Sequence, residues 1–167
     1  DDFGHELHIP AGMAARVRIL GGHVNNVYGG NDITGRISGG STVGIYTTIY
    51  GDVYGGGNAA DVNGTDVNID GGTITSMVFG GGHGDKNADP QTEANVNGNV
   101  NVDITGGTIG KVFGGSNSKG NITGTIAMNI EKADGHCDMH ITEVYGGGNE
   151  AAGNAGTITI GCTGGEG

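Results

Sequence analysis

One phrase recurs five times along this chain: a valine, an aromatic ring and then two or three glycines. It reads VYGGN from Val27, VYGGGN from Val53, VFGGGH from Val78, VFGGSN from Val112 and VYGGGN from Val144. The anchor valines are 26, 25, 34 and 32 residues apart. Two polar segments, HGDKNADPQ at 83–91 and KADGHCDMH at 132–140, account for the two longer intervals, so the underlying period is near 25. A fixed period of this size is the signature of an array whose units are stable only when stacked, with insertions confined to loops.

The rest of the unit is legible around that anchor. Gly-Gly pairs at 21–22, 39–40, 71–72 and 106–107 are assigned upstream of the aromatic phrases, and Gly164-Gly165 opens a copy that is not completed. Alternating runs precede the pairs: VRIL at 17, VNID at 67, VNVDIT at 100, IAMNIE at 126 and TITI at 157. Short phrases DITG at 32, DVNG at 61, NVNG at 95 and NITG at 121 lie earlier still. Period-2 alternation marks half-buried strands, and nothing carries the 3.6-residue period of an amphipathic helix. Three short strands in about 25 residues, separated by Gly and Asn turns, predict one rung of a parallel β-helix. Its backbone groups find partners in the rungs above and below. Glycine, and secondarily asparagine, is expected to supply positive-φ corners.

The expected architecture is an all-β, right-handed parallel β-helix of about five rungs, with residues 1–15 as an N-terminal lead-in and 16–167 as repeats. Handedness follows the general preference of parallel crossovers. Because TITIGCTGGEG stops inside a copy, the chain reads as a piece of a longer repeat protein.

Side-chain direction follows from charge. Asp52, Lys111 and Glu143 immediately precede anchor valines, and a charge does not face a narrow apolar interior, so the valines point in and the aromatics out. Ile74, Ile109, Ile141, Val100, Val102, Ile104, Ile126, Met128 and Ile130 join the interior, with Asn101, Asp103, Asn129 and Glu131 outside. Tyr28, Tyr54, Phe79, Phe113 and Tyr145 then form an outward ladder whose ring tips reach water and which is the first candidate for binding. Stacking between repeats is enough to account for the ladder, and recognition would be an added role. Asn31, Asn58, His83, Asn117 and Asn149 follow the valines by four or five residues and predict a structural turn ladder.

The segments GGTIGKVFGGS, VYGGGNAADVNGTDVNI and VYGGGNEAAGN resemble the glycine-rich repeats of large secreted or surface-displayed bacterial proteins, especially of gut-associated Bacteroidetes. The similarity spans roughly residues 16–165. It implies a β-helix on display outside the cell and an adhesin-like role, and it brings no catalytic motif.

Function classes narrow further with charge. Seven Lys and Arg against 18 Asp and Glu give a formal charge of −11, which disfavours nucleic acid and anionic membranes. No run approaches a membrane-spanning length. A glycan or a surface protein is the expected partner, with end-to-end self-association into a filament as the rival, since an open β-helix has unpaired edges. A polysaccharide-active enzyme of the pectate-lyase-like class is a further alternative. The acidic trio Asp66, Asp70 and Asp103 is better read as a solvated face, and the basic residues are scattered over repeat positions. No cofactor is expected beyond a secondary candidate, a surface Ca²⁺ site in the 83–91 loop. His136, Asp138 and His140 are candidate metal ligands in the second inserted loop, although their crowding beside Cys137 favours a Cys137–Cys162 disulfide instead.

Overall fold

The computed structural model describes residues 14–131, 139–152 and 157–161. The described residues contain strands and no helix. In chain order the strands are β1 (Ala15–Ile19), β2 (Val27–Tyr28), β3 (Arg36–Ile37), β4 (Ser41–Ile45), β5 (Val53–Tyr54), β6 (Asp61–Val62) and β7 (Thr65–Ile69). They continue with β8 (Thr73–Phe79), β9 (Val100–Ile104), β10 (Thr108–Phe113), β11 (Ile126–Glu131), β12 (His140–Tyr145) and β13 (Thr157–Gly161).

These strands form three parallel sheets. A six-stranded sheet runs β1-β4-β7-β9-β11-β13, a five-stranded one β12-β10-β8-β5-β2, and β3 pairs with β6. Each strand pairs with its counterpart one repeat later: Val43 opposes Val17 and Val67, and Val53 opposes Val27 and Val78. The small sheet is prolonged by parallel bridges from Val62 to Val96 and from Val96 to Ile122. Like residues therefore sit directly above like, which is why an alternating sequence repeated at 25 residues gives continuous rows.

A single apolar core takes side chains from all three sheets, among them Ile37, Val43, Val53, Val62, Ile69, Val78, Val96, Val102, Ile109, Val112 and Met128. The inward assignments made from alternation hold: Ile74, Val100, Ile104, Ile126 and Ile130 are buried, and Ile141 and Val144 are partly buried against the same core. Ser41 and Thr65 interrupt it, and both hydroxyls donate to backbone carbonyls across the core, to Gly55 at 2.5 Å and Gly80 at 2.6 Å. A buried hydroxyl is tolerated because its hydrogen bond is made.

The repeat alignment needs two corrections. Ile33, placed with Val62, Val96 and Ile122 through its DITG phrase, is 69% exposed, and Ile37 holds that inward position. Ile33 comes six residues after the anchor valine, whereas the inward residue comes nine or ten after it in repeats without an insertion, so the chain has not yet reached the third sheet. Gly39-Gly40 precedes β4, not the second aromatic strand. In that repeat Tyr46-Thr47-Thr48 occupies the place of the Gly-Gly pair, and Ile49 bridges Val24 and Ile74.

The glycines divide into two jobs. Gly22, Gly40, Gly72 and Gly107, each second in its pair, adopt positive φ of 93°, 82°, 83° and 100°, as the corner argument requires. No other residue type does so among the described residues, so asparagine is not used as a left-handed corner here. The glycine after each aromatic serves differently. A methyl group on Gly55 would collide with the Gly80 carbonyl and come within 2.8 Å of Val67 Cγ2. That position requires glycine because the next copy and the opposite sheet press onto it.

The inserted segment at 83–91 leaves after β8 and is closed by an antiparallel bridge from Asp85 to Thr92.

Candidate binding faces

The five aromatic rings stack face to face along the array. Centroid separations are 4.8 Å for Tyr28–Tyr54, 5.0 Å for Tyr54–Phe79, 5.0 Å for Phe79–Phe113 and 4.8 Å for Phe113–Tyr145, with interplanar angles from 3° to 11°. The spacing is that of neighbouring strands, so the sheet sets the stack. The rings form a cluster separate from the valine core, on the other side of the same strands, as the charge argument requires.

Their exposure, however, is not that of an open stripe. Tyr54, Phe79 and Phe113 are 2%, 0% and 5% exposed, and only Tyr145, at 43%, is open. The expectation that ring tips reach water is thus corrected for the middle of the ladder, because the turn ladder folds over it. His83 lies edge-on to Tyr54 at 5.3 Å, and the Asn117 amide donates to the Tyr54 hydroxyl at 3.0 Å. Met77 packs against the same cluster. The predicted turn residues are partly chained to one another: the Asn58 amide oxygen lies 2.8 Å from His83 Nδ1, and Asn149 donates to Asn117 at 3.1 Å. Asn58 also donates to Asp32, whereas Asn31 turns to its own loop and donates to the Thr34 carbonyl. The two ladders are one structure, with amides and an imidazole as the cover over stacked rings.

Two of the three tyrosines of the ladder, Tyr54 and Tyr145, follow a carboxylate by two positions, whereas Tyr28 follows Asn26. Tyr54 donates to Asp52 Oδ2 at 3.0 Å, and Tyr145 donates to Glu143. Phe79 and Phe113 follow Met77 and Lys111, neither of which offers a carboxylate. Asp52 also accepts the Met77 N–H at 3.0 Å, and Glu143 pairs with Lys111 at 3.1 Å. The phenols respond to these surroundings. Burial, reinforced by the charge of Asp52, pushes Tyr54 far above the ordinary phenol range; the same two causes and Asp32 raise Tyr28. The hydrogen bond to Glu143 raises Tyr145, and together with Lys111 it holds the Glu143 carboxyl below the usual range. Asp52 and Glu143, which the sequence marks as outward-facing beside the anchor valines, are the same residues that accept from the rings two positions on.

A different surface is open. The outward side of the six-stranded sheet carries parallel rows, Arg16-Thr42-Asp66-Asn101-Ala127 and Arg18-Gly44-Asn68-Asp103-Asn129, fixed by the strand register. Hydrogen bonds tie the rows along the array, from Asn101 to Asp66 at 2.8 Å and from Thr105 to Asp70 at 2.9 Å. Asp66, Asp70 and Asp103 fall in different rows, and they do not form a carboxylate trio. Two open depressions meet at Thr42. One, of about 360 Å³, runs over Ser38, Asn63, Asp66, Asn99 and Asn101. The other, of about 370 Å³, is framed by Arg16, Arg18, Tyr46, Asn68 and Asp70.

Among the described residues no group of three His, Cys, Asp or Glu side chains could hold a metal ion. In the 83–91 loop Asp85 accepts the Asn87 N–H at 2.8 Å and Lys86 pairs with Glu150 at 3.2 Å. Of the second-loop candidates, His140 is an exposed residue of β12. His136, Cys137, Asp138 and Cys162 lie outside the described residues, and the proposed disulfide with them. Compared with known proteins, the chain matches no family model, no curated protein and no solved structure.

Proposed function

We propose that the chain is a right-handed parallel β-helix of about five 25-residue rungs, a non-catalytic structural and adhesive module that works outside the cell and presents flat polar faces to a glycan or a protein. The single supporting observation is the outward side of the six-stranded sheet. Its parallel register sets Asn, Asp, Thr and Arg in straight rows at the strand spacing, with two adjoining depressions between them. Amides, carboxylates and hydroxyls at regular intervals suit the hydroxyl groups of an extended sugar chain. Three parallel sheets sharing one core support the β-helix reading.

A glycan-array screen with calcium and with EDTA tests the function. Binding that survives EDTA and is lost on substituting Asn68 and Asn101 is the expected result. Binding to nothing would remove the adhesive role. The rival, end-to-end assembly, is favoured by one observation: Tyr145, the last ring of the stack, exposes a face on which another ring would stack as Phe113 does. Sedimentation velocity across concentration decides it, because a monomer at every concentration excludes assembly.

A further inference from the structure

Building on the glycan-binding reading, we infer that the depression framed by Arg16, Arg18, Tyr46, Asn68 and Asp70 is a subsite for a single carboxylate-bearing sugar, such as a terminal uronic acid, within an otherwise neutral glycan. The repeat is broken here. β4 carries Gly44 where neighbouring strands carry Arg18 and Asn68, and Tyr46 follows in line with Leu20 and Asp70. The missing side chain at Gly44 leaves room that Tyr46 fills: its ring carbon Cε2 stands 3.2 Å from where a Gly44 Cβ would be. The ring therefore leans over the sheet. It stays 42% exposed, and the Arg18 guanidinium stands 5.3 Å from its centroid. An exposed aromatic ring fixed beside polar groups gives the C–H face of a sugar a surface to stack on.

Charge selects which sugar. Arg16 and Arg18 project from the same side of β1, and among the described residues no carboxylate lies within ion-pair distance of either. Two guanidiniums with no carboxylate partner among the described residues, and with bidentate donor geometry, match a carboxylate. All three arginines of the chain lie between residues 16 and 36, two of them on β1. Asp66 and Asp103, farther along the same face, would repel a polyanion, which limits the ligand to an isolated acid. Asp70 and the amide of Asn68 supply an acceptor and a donor for ring hydroxyls. Asn68 makes no side-chain hydrogen bond among the described residues.

The test is calorimetric titration with a glucuronate-terminated oligosaccharide, its carboxyl-reduced, glucose-terminated counterpart, and polygalacturonate. The acidic oligosaccharide is expected to bind at least tenfold more tightly than the neutral one, and polygalacturonate more weakly than either. Arg16→Gln with Arg18→Gln should erase the preference, and Tyr46→Ala should weaken both oligosaccharides. All three side chains are on the surface, so unfolding temperature should not move, and Lys111→Gln should leave binding intact. Equal affinity for the acidic and neutral forms overturns the subsite while leaving glycan binding standing. An acid preference that survives the double arginine substitution overturns it also, as does no binding of any of the three when the array has found neutral ligands.

Discussion

Phe79→Ala separates a buried stack from an open docking stripe. Phe79 is 0% exposed and is sandwiched at 5.0 Å by Tyr54 on one side and Phe113 on the other. Truncation forfeits roughly 3 kcal/mol of apolar burial. It also breaks two stacked contacts, each worth roughly 0.5 to 1 kcal/mol. The sum, about 4 to 5 kcal/mol, lies at the upper end of the roughly 3–5 kcal/mol seen for large-to-small core substitutions. For a chain of this length that corresponds to a Tm lower by about 8 to 20 °C. The matched control is Tyr145→Ala, at the exposed end with one stacked neighbour, for which about 1 kcal/mol is expected. Urea unfolding followed by tyrosine fluorescence, in a chain without Trp, measures both. Phe79→Ala costing no more than Tyr145→Ala would refute the buried-stack reasoning and return the ladder to the surface. Glycan binding should be unchanged in Phe79→Ala below its unfolding temperature, since a covered ring cannot touch a ligand.

Three further outcomes follow from the same geometry. The raised phenols of Tyr28 and Tyr54 make the folded chain hold more protons than the unfolded one above pH ~10, so their contribution to stability should be constant below that pH and fall as pH rises through it. Absorbance at 295 nm against pH should show some tyrosines ionising only as the chain unfolds, and Tyr54→Phe should blunt the alkaline loss. At neutral pH Tyr54→Phe should cost about 1 to 3 kcal/mol in urea unfolding, because Asp52 loses a donor and Asn117 an acceptor. Gly80→Ala should destabilise by about 1 to 3 kcal/mol or more, its new methyl meeting the Gly114 carbonyl and Val100 and coming within 2.9 Å of Val102. Gly71→Ala, with open space at that position, should change the unfolding midpoint little.

The sheets and the core were legible in the sequence because they depend on period alone. Val100-Asn101-Val102-Asp103-Ile104 alternates, and a parallel neighbour one repeat later copies the alternation, so the pattern survives stacking unchanged. The local phrase misplaces Ile33 because DITG shares I-T-G with NITG, while distance from the anchor decides when the chain reaches the next sheet. Strand β4 was overlooked for the opposite reason: Ser41 and Gly44 weaken its alternation, although Val43 and Ile45 are completely buried. The burial of the rings was hidden because it depends on how far His83 and Asn117 reach back from the following turn. Spacing in one dimension fixes which residues share a row, but it does not fix which row overlays another.

That distinction also locates where binding can be sought. In the interior each repeat copies its neighbours, since a valine in one strand must pack on a valine in the next, and a change of one side chain disturbs two interfaces at once. The same holds for the glycine after each aromatic and for the stacked rings it adjoins. Outward positions of the six-stranded sheet carry no such requirement, and there the sequence drifts among Arg, Thr, Asp, Asn and Ala. A ligand that lies along such a surface meets a regular lattice of backbone with irregular chemistry on it. Affinity would come from length and repetition, and selectivity from the few places where the irregularity is concerted. Gly44, Tyr46 and the two arginines of β1 make one such place: a deleted side chain, a ring laid across the gap and two charges beside it. None of the three alterations is explained by the core beneath, where Val17, Val43 and Val67 continue in register.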